Sequence, residues 1–187
     1  GTGSYTYAWT GSGSVDPTNP AKYVVTGYGA SGSVSVTATD GAGCSDTASD
    51  SYAINAQVDV SLSKVYDHCA GKVTFTASAS GGTGSYTYAW TGSGSVDPTD
   101  PAKYVVSGYG ASGSVSVTAT DGAGCSDTAS DSYAINAQVD VSLSKVYDYC
   151  AGKVTFTASA SGGTGSYTYA WTGSGSVDPT NPAKYVV

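Results

Sequence analysis

The side chains in this chain that could do chemistry come in repeated sets. Asp40, Asp46 and Asp50 flank one glycine-bearing turn, and Asp121, Asp127 and Asp131 flank an equivalent turn 81 residues later. Ca²⁺ takes roughly six to eight hard oxygen ligands, so these six aspartates are the candidate calcium set. Their spacing is not that of an EF-hand loop, and solvated turn carboxylates are the simpler expectation. No other cofactor is indicated. The cysteines repeat in the same way: Cys44 matches Cys125, and Cys69 matches Cys150. No Cys-x-x-Cys spacing points to a metal, so the natural expectation is disulfides formed in an oxidising compartment.

Nucleophilic catalysis needs a base beside the nucleophile. Serine is abundant, but the chain has one histidine, His68, and no glutamate, and the position of His68 is taken by Tyr149 in the next copy. An imidazole that a near-identical neighbour lacks is expected to be a surface turn residue, and the chain is expected not to be an enzyme. Trp9, Trp90 and Trp171 each close a Tyr-x-Tyr-x-Trp run. An indole face can stack on sugar, but the alternation puts all three on one face of a strand, so they are expected in the core. Tyr28 and Tyr109 lie in Gly-Tyr-Gly turns, where a rigid amphipathic ring suits either contact with a neighbouring domain or subunit or packing on its own loop.

The elements that carry these residues are strands. Charged residues make up 11% of the chain, all of them Asp or Lys, and 26 glycines accompany Val, Thr, Tyr and Ser. This is the composition of strands joined by tight turns, and it predicts an all-β fold. A net charge of -7 with seven dispersed lysines argues against a nucleic-acid partner. No apolar run approaches the roughly 20 residues of a membrane-spanning helix.

The segment GTGSYTYAWTGSGSVDPT begins at Gly1, Gly82 and Gly163, and the first two copies of the 81-residue repeat differ only at Asn19/Asp100, Thr26/Ser107 and His68/Tyr149. That period is longer than a solenoid repeat and suits a small domain with its own core. The polar stretches at Asn55–Gln57 and Asn136–Gln138 read as linkers. Residues 57–137 then form one complete repeat domain, with 1–56 the C-terminal part of one and 138–187 the N-terminal part of another. Within 57–137, alternating runs predict strands around Val58–Leu62, Val73–Ala79, Tyr86–Trp90, Ala102–Val106, Ser114–Thr120 and Thr128–Ile135, with Gly92–Pro101 as turns. Six or seven strands in this length fit a Greek-key sandwich.

Cys69 ahead of a strand, the Gly-Gly-x-Gly turn at Gly81–Gly84, the Tyr86–Trp90 run and Thr-Asp-x-x-Gly-Cys at Thr120–Cys125 occur in a fixed order. In this order the repeat resembles the PKD-type, immunoglobulin-like tandem repeats of large bacterial surface adhesins. It departs from many of them in having Thr91-Gly92-Ser93-Gly94 after the tryptophan. The resemblance implies an extracellular, cell-surface module that spaces, stiffens or adheres, and it implies no catalysis. In an immunoglobulin-type topology the turn bearing Cys69 and the turn bearing Cys125 sit at opposite ends, which opposes an intradomain bond and favours one between domains or subunits. An intradomain Cys69–Cys125 bond and free thiols stay open.

The function expected is a structural shaft or stalk of an extracellular protein or filament, whose partners are copies of itself along and across the array. One alternative is a set of adhesin modules that bind polysaccharide or a surface by avidity. Another is the accessory region of a secreted hydrolase.

Overall fold

A computed structural model describes residues 3–187; Gly1 and Thr2, which open the first copy of the repeat, lie outside the described residues. The opening stretch forms β1 (Tyr5–Thr10), β2 (Ser14–Asp16), β3 (Asn19–Val24), β4 (Ser31–Asp40) and β5 (Ser45–Ala53). The middle stretch forms β6 (Asp59–Asp67), β7 (Lys72–Ser80), β8 (Tyr86–Thr91), β9 (Ser95–Asp97), β10 (Asp100–Ser107), β11 (Ser112–Asp121) and β12 (Ser126–Ala134). The last forms β13 (Asp140–Asp148), β14 (Lys153–Ser161), β15 (Ser176–Asp178) and β16 (Asn181–Val186). The predicted strands are present. The turn-rich segment after Trp90 holds one more short strand, β9, which pairs with β10 across an irregular register.

The strands build small antiparallel sheets ordered β1-β4-β5, β2-β3, β6-β7-β10-β9, β12-β11-β8 and β13-β14-β16-β15. The fold is all-β and sandwich-like. Alternation decides which side chains turn inward: Val73, Phe75 and Ala77 along β7 and Val115, Val117 and Ala119 along β11 are buried, and the residues between them face outward or are partly covered.

Contacts gather the chain into two compact units. One comprises residues up to Val60 with Ala79–Tyr88 and Thr118–Thr128; the other comprises Ser61–Ser78, Ala89–Val117 and Ala129–Val187. The second unit holds the main core of Val73, Phe75, Tyr104, Val106, Val115, Tyr133 and Ile135. There the Phe75 and Tyr133 rings meet edge to face at 6.1 Å, the geometry that aromatic quadrupoles favour. In the first unit Val58, Val60, Ala119 and Asp121 are buried.

The three tryptophans are not core residues, contrary to expectation. Each is half-buried. Trp90 packs at the edge of the core, stacked on Tyr104 at 5.2 Å, and its indole N–H donates to the Pro101 carbonyl at 3.0 Å. Trp9 and Trp171 repeat this on Tyr23 with Pro20 and on Tyr185 with Pro182. The indole N–H needs an acceptor, and the turn carbonyl that supplies one lies at the rim of the sheet. The smaller Phe75 and Val73 fill the centre instead.

Candidate functional site

The polar linkers are where most of the singled-out residues meet. In the first unit, the Gly29 N–H donates to the Asn55 carbonyl at 3.1 Å and the Gly82 N–H donates to the Ala56 carbonyl at 2.7 Å. Consecutive linker carbonyls are thus held from two sides, one by the loop before the linker and one by the loop after it. In the second unit the same pair of bonds recurs, from Gly110 to Asn136 at 3.1 Å and from Gly163 to Ala137 at 2.7 Å.

Glycine is required at this joint. Gly81 has φ +76°, and a Cβ there would lie 2.0 Å from the Gln57 carbonyl oxygen; at Gly162 the corresponding distance to Gln138 is 2.1 Å. The loop presses directly on the linker backbone. Tyr86 and Tyr167 then brace the loop by donating their hydroxyls to the Gly81 and Gly162 carbonyls.

Asp121 secures the far side of the loop in the first unit. It is almost fully buried. One carboxylate oxygen accepts the Thr83 N–H at 2.9 Å, and the other accepts the N–H groups of Ala123 at 3.0 Å and Cys125 at 2.8 Å. These donors, Thr83 first, hold its carboxyl below the usual carboxylate range in spite of burial. The sequence offered Asp121 as a candidate metal ligand or, more simply, a solvated turn carboxylate, and neither is the buried turn cap observed. The signal for the cap was Asp followed by two glycines within a tight turn, a pattern in which the side chain caps its own turn.

The remaining candidate calcium residues are engaged separately. Asp127 accepts the Val60 N–H at 2.9 Å, and Asp131 pairs with Lys64 at 2.9 Å. The Lys64 hydrogen bond is the main cause of the lowered pKa of Asp131. Asp40 accepts the Ala42 and Cys44 N–H groups, and Asp46 and Asp50 accept those of Thr47 and Ser51. Among the described residues no group of three or more His, Cys, Asp or Glu side chains comes together, so the six aspartates are not gathered into one ligand set. Asp16, Asp97 and Asp178, which the sequence did not single out, also have lowered pKa values, chiefly through the hydroxyls of Thr18, Thr99 and Thr180.

Tyr28 and Tyr109 both line clefts at the joints. A cleft of about 340 Å³ in the first unit is walled by Tyr28, the linker, Gly82, Thr83, Asp121 and Cys125. One of about 330 Å³ in the second is walled by His68, Cys69, Tyr109, the linker, Gly163 and Thr164. The Tyr109 hydroxyl donates to the Cys69 carbonyl. His68 is exposed and stacks on Tyr66 at 5.6 Å; Tyr149 makes the same stack on Tyr147. Both residues present a flat ring at this position, and only one of them is an imidazole.

All four cysteines, Cys44, Cys69, Cys125 and Cys150, are exposed and none is bonded to another within the chain, so the intradomain Cys69–Cys125 bond that the sequence left open is not formed. The physical reason is the length of β11. Cys69 is tied to Tyr109 just before this ten-residue strand, and Cys125 is tied to Asp121 just after it. At about 3.3 Å per residue such a strand spans roughly 33 Å, and bonded cysteines need Cα atoms within about 7 Å.

Among the described residues no helix is long and apolar enough to cross a membrane. No protein-family model matches the chain, and no curated protein matches it in sequence.

Proposed function

We propose that this chain is a structural repeat segment of an extracellular surface protein or filament, a shaft built from immunoglobulin-like, PKD-type sandwiches of which residues 57–137 form one. The sheet orders β6-β7-β10-β9 and β12-β11-β8 are those of a seven-stranded immunoglobulin-type domain, which supports the module. The observation that carries the shaft is the joint. Its two linker carbonyls are hydrogen-bonded from both sides, and the same bonds recur one period later. A linker with no slack transmits bending to the domains it joins, whereas a flexible tether leaves its backbone to water.

The aromatic side chains also favour a structural role over sugar binding. One face of each tryptophan is already covered by a tyrosine, so the broadest stacking surfaces are used internally.

Small-angle scattering on arrays of increasing repeat number tests this. A shaft lengthens by a constant increment per repeat and keeps a rod-like cross-section. A maximum dimension that grows as the square root of repeat number would show a flexible string and overturn the proposal.

A further inference from the structure

The two joint clefts are the same place seen one period apart. Tyr109, Ala137, Gln138, Val139, Gly163 and Thr164 of the second cleft occupy the repeat positions of Tyr28, Ala56, Gln57, Val58, Gly82 and Thr83, and all of these line the first. Each cleft adds one cysteine to the shared wall. In the second unit it is Cys69, from the turn that precedes the linker. In the first it is Cys125, from the turn that follows the linker. A joint with both neighbouring domains complete therefore has two cysteines facing one cleft.

We infer that these two cysteines form a disulfide across the joint, linking the position of Cys69 in one repeat to the position of Cys125 in the next. Each sulfur is carried on a turn fixed by the protein. Tyr109 holds the Cys69 carbonyl, and its ring lies where a Cβ on Gly71 would meet it at 2.8 Å. On the other side Asp121 accepts the Cys125 N–H at 2.8 Å, and the Asp121 N–H donates to the Cys125 carbonyl at 2.9 Å. Both thiols are exposed and open to an oxidant. The partner of Cys69 is the next copy of the position held by Cys44 and Cys125, one 81-residue period after Cys125.

The oxidant is a disulfide compound, such as a small-molecule disulfide of the extracellular medium. One cysteine thiolate attacks it, forming a mixed disulfide and releasing one carrier thiolate. The second cysteine thiolate then attacks the protein sulfur and displaces the other carrier thiolate. One S–S bond breaks and one forms, two electrons pass from the cysteine sulfurs to the carrier, and the two cysteine protons end on the two carrier thiols.

The inference rests on the shaft reading, and one sample separates the two. The chain is extended beyond Val187 by a further copy of Thr26 to Ala56, incubated with oxidised glutathione, alkylated and cut after lysine without reduction. The peptide from Val65 to Lys72 carries Cys69. The inference expects it joined to the peptide starting Tyr-Val-Val-Thr at Tyr185, which carries the added cysteine, with Cys44, Cys125 and Cys150 alkylated as free thiols. A bond from Cys69 to the peptide starting Tyr-Val-Val-Ser at Tyr104, or an unbonded Cys69, overturns it. Scattering from the same sample reports the rod separately, so free thiols on a rigid rod would reject the staple and leave the shaft standing.

Discussion

The Thr83 N–H and the Asp121 carboxylate meet at 2.9 Å, and this bond joins the glycine loop at the joint to the turn that bears Cys125. Asp121 stays charged in the fold below its ordinary value near 3.8, and Asp131, Asp16, Asp97 and Asp178 share that direction. A lowered folded pKa means the unfolded chain binds protons first as pH falls. The stabilisation is therefore full above the ordinary carboxylate value and is lost as pH drops below about 3.8 through the folded values. Thermal melts from neutral to acid pH should be flat and then fall in that window. Asp121→Asn should melt lower at neutral pH and show a shallower acid fall; an unchanged acid limb would remove Asp121 from this account.

Gly81→Ala and Gly84→Ala separate backbone conformation from contact at the joint. Both glycines have positive φ, but a Cβ at Gly81 meets the Gln57 carbonyl oxygen at 2.0 Å, whereas one at Gly84 meets nothing within 4 Å. Each substitution costs about 1–2 kcal/mol for the left-handed conformation. Only Gly81→Ala should also displace the linker, seen as faster hydrogen exchange of the Gly82 N–H that is bonded to Ala56. Equal exchange in both variants would mean that the loop does not hold the linker.

Phe75 and Trp90 test where the core lies. Phe75 is fully buried, and Phe75→Ala should cost about 3–5 kcal/mol in denaturant unfolding. Trp90→Phe keeps a ring on Tyr104 but gives up the bond to the Pro101 carbonyl, a loss of about 1 kcal/mol. The reverse order would return the tryptophan to the core.

What the sequence revealed and what it hid divide along physical lines. Alternation is a local property, so β6, β7, β11 and the inward set Val73, Phe75, Val115 and Val117 could be read directly. The rim position of Trp90 depends on where the Pro101 carbonyl lies after an intervening strand, which no alternation encodes. Asp121 read as a solvated turn carboxylate or a ligand because its residue type is the same whether its oxygens face water, a cation or the N–H groups of its own turn. For the cysteines, opposite ends of a domain and a partner in a neighbouring domain were legible from topology, whereas the residues lining each joint cleft were not.

The last repeat offers a test of how neighbouring strands complete a module. Val141 and Leu143 on β13 are 65% and 62% exposed, while Val60, the copy of Val141 on β6, is 7% exposed. On β6, Asp127 of β12 accepts the Val60 N–H and Asp131 of β12 pairs with Lys64. Among the described residues β13 has no equivalent neighbour, and its apolar face is exposed. The chain as it stands should bind an apolar fluorescent dye, and extending it by a copy of Thr26 to Ala56 should abolish most of that signal as β13 gains its missing neighbours. Val141→Ser in the unextended chain should weaken dye binding without lowering the unfolding midpoint, because the side chain has no buried contacts to lose. Dye binding that survives the extension would mean that the added strands fold without closing over β13, and that a repeat is not completed in the order its sequence is written.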